Sequence, residues 1–352
     1  MSDAGPLEPL VARGHPLHTR TLTAEAFRSA PGRLRVDGVI LDLRKCGFVP
    51  TGAELQTAGF IHHMQLSLEV DVASARIEQL AAAQPIVAFE PAPATSGESC
   101  RDPAPRLQAL VGERIDAGFV RRLGAVFGGP LGCSHLLTLA QWLAASVHRF
   151  LAAPALAASA EGERTGKRVL FLDGFERAEG GLEVVIQQSE FETNPQAGLS
   201  WPLDRLARQH ELRVLARLDA GVSRLEGIDA IERERGPTTL ASAPWRSRRE
   251  AVAGLAGGPA LRGLAACVLA QVGDAPADAP LRDALLNLAP GVIQCLAALS
   301  HRLVAQFHGA APEAGAIPRE LSVGGYPDSC WMWRSEGPLA RRRATAQGPA
   351  PA

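Results

Sequence analysis

Hydrophobic and polar residues alternate with period two across residues 64–72. Met64, Leu66, Leu68 and Val70 fall on one face, and Gln65, Ser67, Glu69 and Asp71 on the other. That period predicts a half-buried strand. Leu34, Val36, Val39 and Leu41 sit among polar residues and glycine within residues 20–43, which predicts further strands. A loop is expected at Gly47, Pro50, Thr51 and Gly52, and residues 76–80 continue the sheet after a turn. Residues 91–105, rich in Pro, Ala, Ser and Gly, predict a loop. The spacing then turns helical. One helix is expected over 107–126, interrupted near Gly112. Another starts near 130–133 and runs to about Phe150, with Leu136, Leu139, Ala140, Leu143 and Val147 as its apolar stripe.

The same order then recurs. Residues 20–78 align with 168–226 at a constant shift of 148. Phe27 falls on Phe175, Gly32 on Gly180, Leu34 on Leu182, His62 on His210, Asp71 on Asp219 and Glu78 on Glu226. Further on, Leu110 and Gly112 recur as Leu255 and Gly257, and Pro130 and Leu136 as Pro290 and Leu296. The change in shift between these pairs is taken up mostly by an inserted loop at 273–280. Such a repeat predicts a duplication. The expected fold is α+β, with two tandem copies of a small antiparallel sheet packed with helices and related by a pseudo-twofold. The expected boundaries are a loose N-terminal segment 1–19, a first repeat 20–151, a linker 152–166, a second repeat 167–310 and a tail 311–352.

A chain of 352 residues is long enough for two such units. The net charge is −1, and Lys and Arg are scattered apart from Arg341, Arg342 and Arg343, which argues against nucleic acid. The start of the chain does not read as a secretory signal, and no apolar run approaches the roughly 20 residues of a membrane span. A soluble cytoplasmic protein is expected, with a protein partner the one class of macromolecule left open. Six cysteines without a CxxC pair do not suggest a disulfide framework.

The repeat separates candidate chemistry from scaffold. Cys133 stands where Gly128, Gly129, Pro130 and Gly132 lead into a helix, a position that favours a thiolate. As a small buried residue it would instead be packing. In the second copy Ile293 stands in its place and Trp245 stands for Cys100. His135 lies two residues past Cys133, so the two can share a metal only if Cys133 caps the helix. His62 recurs as His210, which marks it as structural, whereas His63 is replaced by Glu211. Cys330, within residues 326–333, lies among large residues that predict a docked piece of tail. Cys46, Cys267 and Cys295 read as core or surface thiols.

His18-Thr19-Arg20, Ile61-His62-His63-Met64, Cys100, Leu110-Val111-Gly112 and Gly132-Cys133-Ser134-His135-Leu136 resemble a bacterial family called domain of unknown function 2889. Asp328-Ser329-Cys330-Trp331 and Gly337 resemble that family's C-terminal motif. His63 departs from it, where Asp is more usual, and so does the second copy placed before the tail motif. More distantly, the order of strand, Cys-bearing loop and Cys133 at a helix start is similar to the NifU/SufE-like fold of iron–sulfur scaffold and sulfur-acceptor proteins. That resemblance implies Cys133, Cys100 and one of His62 or His63 as ligands.

The leading expectation is a metal- or iron–sulfur-binding scaffold-like protein. Cys100, Cys133, His135, His63 and Cys330 are its candidate ligands for zinc, iron or a cluster, and the second copy is structural. One alternative is a thiol enzyme or sulfur/acyl carrier with Cys133 as nucleophile and His135 as base. The other is a non-catalytic assembly or binding module.

Overall fold

The computed structural model describes residues 10–51, 54–308 and 325–341, without the side chains of residues 50, 51, 54 and 301–308. Its first four strands are β1 (His15–Ala30), β2 (Arg33–Thr51), β3 (Glu54–Asp71) and β4 (Ile77–Ile86). Helices α1 (Phe119–Phe127), α2 (Ser134–Leu151) and α3 (Ala155–Ala158) follow. The second series is β5 (Arg164–Glu176), β6 (Leu182–Thr193), β7 (Leu206–Leu218), β8 (Leu225–Arg235) and the short β9 (Arg246–Ser247). It ends in α4 (Arg249–Val252), α5 (Leu264–Gln271), α6 (Ala279–Leu286) and α7 (Leu288–His308).

All nine strands form one sheet in the order β4-β3-β2-β1-β5-β6-β7-β8-β9, with antiparallel neighbours. The two separate sheets expected from the sequence are therefore one, joined through β1 and β5. Joining removes two strand edges that would otherwise expose unpaired backbone groups. The pairing register repeats along with the sequence. Thr21 faces Leu41 as Val169 faces Ser189, Val36 faces Leu68 as Val184 faces Ala216, and Ser67 faces Ala81 as Leu215 faces Asp229. Beyond the strands, Gly112 N donates to Ile77 O as Gly257 N donates to Leu225 O.

The helices pack on one face of the sheet. Leu22, Leu34, Val36, Ile40, Met64 and Leu66 are buried there in the first half, and Leu170, Leu172, Leu182, Val184, Leu212 and Val214 in the second. Each buried leucine contributes about 1.5–3 kcal/mol relative to exposure. Helix α7 belongs to the second series but lies across β2, β1 and β5. Gly174 of β5 permits this approach, because a Cβ there would collide with Cys295 Sγ of α7. The stretch Ala279–Ser300, spanning α6 and α7, is long and apolar enough to cross a membrane by length and composition, and 50% of its most apolar part is buried inside the protein.

Several local expectations change. His15 to Thr19 belong to β1 rather than to a loose N-terminus, while residues 1–9 lie outside the described residues. The loop expected at Gly47 and Pro50 is strand, because β2 runs through it to Thr51. The helix expected over 107–126 divides into a 3-10 segment (Ala104–Leu110) and α1, with Gly112 at φ +89 between them. The linker holds α3 and the start of β5. Of the tail, residues 311–324 and 342–352 lie outside the described residues.

Candidate metal centre

Strand register builds a polar row in the covered face of the first half. Arg20 of β1 faces Asp42 of β2, and Asp42 faces His62 of β3. Side chains directly opposite on adjacent strands are close enough to interact. His18 lies on the same face of β1, two residues before Arg20, and the first turn of α2 brings in His135.

Asp42 is the hub, fully buried. Its Oδ1 accepts from His18 Nε2 at 2.9 Å and Arg20 Nε at 2.8 Å. Its Oδ2 accepts from Arg20 Nη2 at 2.9 Å and His62 Nδ1 at 3.1 Å, and lies 3.3 Å from His135 Nε2. The His62 and His135 rings stack with centroids 3.6 Å apart. His135 Nε2 is also 3.3 Å from Gln294 Nε2 of α7, so the second half closes over the first.

The environment sets the charge states. Burial alone would raise the Asp42 carboxyl. The Arg20 charge and the hydrogen bonds from His18 and His62 outweigh it and hold the carboxyl well below the usual carboxylate range. Burial lowers His135 well below an ordinary histidine, and neighbouring His62 adds to this against the pull of Asp42. Burial also lowers His18, against the hydrogen bond and charge of Asp42. An ionised Asp42 is thus surrounded by neutral His18 and His135.

A second, sulfur-lined pocket adjoins this hub. Cys133 caps α2 with extended backbone geometry, as sharing a metal with His135 would require, but its Sγ lies 3.8 Å from Met64 Sδ. Gln84 Nε2 links Met64 Sδ at 3.7 Å to Cys100 O at 3.0 Å. The tail docks on the first half: Trp331 N donates to Gly132 O at 2.7 Å, Trp333 packs edge-on against Phe89, and Arg334 pairs with Glu98. This brings Cys330 in beside Cys100 and Cys133. Burial pushes the Cys133 thiol up to about 12 despite the backbone N–H groups of Leu136 and His135. Burial, with the neighbouring Cys133 and Cys330, pushes Cys100 up as well, and Cys330 is raised by burial too. These are protonated thiols, not the thiolates expected at a helix start.

Of the ligands expected from the sequence, His135 stands in the hub, and Cys100, Cys133 and Cys330 stand together in the adjoining pocket. His63 joins neither: it sits on the opposite face of β3, with its Nε2 3.2 Å from Gln65 Nε2. Among the described residues, the one set of three such donor groups within 4.8 Å of one another is Asp42, His62 and His135. Asp42 and the histidine set aside as structural, His62, therefore belong to the best donor group. The sequence held a signal for Asp42, since the 148-residue shift places an acid, Glu190, at its counterpart.

The second half builds the matching row from Arg168, Glu190 and His210 in equivalent register. There Arg168 Nη2 also reaches Asp283 Oδ2 at 2.7 Å, its Nη1 donates to Ser146 Oγ at 2.8 Å, and Arg149 pairs with Glu190 at 2.6 Å. His210 lies 3.3 Å from Glu232 Oε2. Acids and arginines close this network on itself.

No curated protein and no solved structure matches the chain. Residues 18–148 match the model of a family described as "Protein of unknown function (DUF2889)". The likeness to this family thus covers the part of the chain that contains Asp42, His18, Arg20, His62 and His135.

Proposed function

We propose that the first half of the chain is a mononuclear metal-binding unit with Asp42, His62 and His135 as ligands. The second half is its structural partner. The observation that carries this is the spacing about Asp42 Oδ2, at 3.1 Å from His62 Nδ1 and 3.3 Å from His135 Nε2. Donors bound at about 2.0–2.1 Å to a tetrahedral ion stand about 3.3 Å apart. Two imidazoles and a carboxylate suit zinc or iron(II) and leave coordination positions open for a further ligand. Arg20 and His18 on the other carboxylate oxygen would fix the orientation of Asp42.

An iron–sulfur cluster is held mainly by thiolates, and among the described residues Cys100, Cys133 and Cys330 do not form a set of three donors within 4.8 Å of one another, as Asp42, His62 and His135 do, which favours the histidine–aspartate set over the NifU/SufE-like ligand set. Burial, which keeps the Cys133 thiol protonated, weighs against it as nucleophile or carrier. The repeated register supports descent of both halves from one unit. Arg20 favours a second reading: because it already engages both oxygens of Asp42, the hub could work without metal, with neutral His135 as a proton acceptor.

The test is metal analysis of protein purified anaerobically, before and after loading with zinc or iron(II). Near-stoichiometric metal that is lost in His62→Ala and His135→Ala but kept in Cys133→Ala supports the proposal. Protein that stays metal-free after loading overturns it and leaves the metal-free reading.

A further inference from the structure

Among the described residues, Arg44 is a buried cation with no ion-pair partner. It is 2% exposed, and among the described residues it has no carboxylate within ion-pair distance. The other fully buried arginines are paired, Arg20 with Asp42 and Arg168 with Glu190 and Asp283. The Arg44 guanidinium donates from Nη1 to Gln56 O at 2.7 Å, while its Nε is buried and unpartnered. The residue facing it on β1 is His18, whose Nδ1 is also buried and unpartnered. The residue facing it on β3 is Gly59, and a Cβ there would meet nothing within 4 Å. The sheet therefore places two unsatisfied polar atoms on adjacent strands, beside a position that carries no side chain. In the second half the counterpart of Arg44 is an acid, Glu192, which pairs with Arg208.

An unpaired buried charge is strongly unfavourable unless a ligand compensates it. Arg20, Arg44 and Asp42 together leave one positive charge, which suits a monoanion, and a guanidinium fork matches a carboxylate. His18 donates its Nε2 proton to Asp42, so in its neutral form Nδ1 is an acceptor that calls for an O–H. We infer that the first half binds a small monocarboxylate through Arg44, with a hydroxyl of the same molecule donating to His18 Nδ1. The site adjoins the proposed metal ligands but does not depend on the ion.

The test is a calorimetric titration of the full chain at constant ionic strength with a chelator present, using chloride, acetate and glycolate. Saturable binding is expected to be tightest for glycolate, weaker for acetate and absent for chloride. Arg44→Lys keeps the charge without the fork and should weaken binding by about tenfold. Arg44→Met should abolish binding and, with no carboxylate present, melt no lower than the unmodified protein, because it removes an uncompensated buried charge. Equal binding of acetate and chloride, or carboxylate binding that persists in Arg44→Met, would overturn the site. Equal binding of glycolate and acetate would overturn the hydroxyl contact. Because the chelator removes metal, failure of the metal proposal leaves these outcomes unchanged.

Discussion

Leu22 of β1 faces Leu170 of β5, its own counterpart 148 residues on, at the centre of the nine-stranded sheet. The antiparallel pairing of β1 with β5 at this pair joins the two half-sheets. Both side chains are fully buried, so Leu22→Ala and Leu170→Ala should each cost about 2–5 kcal/mol. The two losses should be non-additive, because the residues share one packing site. Urea unfolding of the single and double variants measures this; strict additivity would mean that the halves are not coupled through the pair.

Asp42→Ala should destabilise the protein by about 3–5 kcal/mol, because it leaves Arg20 buried without its carboxylate. Glu190→Ala should cost less, since Asp283 still holds Arg168 at 2.7 Å. Comparing the two by chemical denaturation separates a hub with one acid from a network with two.

Stability should fall as the solution is acidified below pH 6.5. His18 and His135 have folded-state values below their ordinary 6.5, so the unfolded chain takes up protons first. Each group then removes up to about 1.4 kcal/mol per pH unit until its folded form titrates. Asp42, also lowered, adds a further loss once the pH falls below 3.8. Stability curves measured from pH 8 to pH 4 test this, and a His18→Gln variant should show a shallower slope. An unchanged slope would contradict the buried neutral state of His18.

Cys133 and Cys100 should resist iodoacetamide at neutral pH in the folded protein and react on unfolding, since burial keeps both protonated. Mass spectrometry of the labelled protein reads this directly, and fast labelling of folded Cys133 would restore the nucleophile reading.

Removing residues 325–352 should raise the labelling of Cys133, because the tail backbone is bonded to Gly132 beside it. Arg334→Ala should act in the same direction more weakly. It removes the pair with Glu98 and the guanidinium 3.7 Å over the Trp331 ring. Unchanged labelling in the truncated protein would mean that the tail does not cover the pocket.

Much of the scaffold was legible in order and repeat. Period-two alternation at Met64 to Val70 located β3, and the stripe from Leu136 to Val147 located α2 with Cys133 at its cap. The strand through Gly47 and Pro50 is not legible, because glycine and proline signal a turn; β2 instead passes Gly47 at φ +72, in a register break between Arg44 and Phe48, and then resumes its pairing with β3. Of the residues gathered at the hub, the sequence singles out His135 as a candidate and passes over Asp42. Comparing the halves for what differs pointed to Cys100 and Cys133. The hub is instead built on a row that both halves keep, and what distinguishes the first half is what lies over that row.

The sequence by itself determined the alternation that makes strands, the helical stripe of α2 and the 148-residue repeat, because these depend on local periodicity and on comparing the chain with itself. Only the tertiary structure decided that two half-sheets become one through Leu22 and Leu170, that the tail docks on the first half, and that Asp42 gathers His18, Arg20, His62 and His135. Those relations depend on strand register and on helix placement over the sheet, which bring together side chains far apart along the chain and fix their charge by burial.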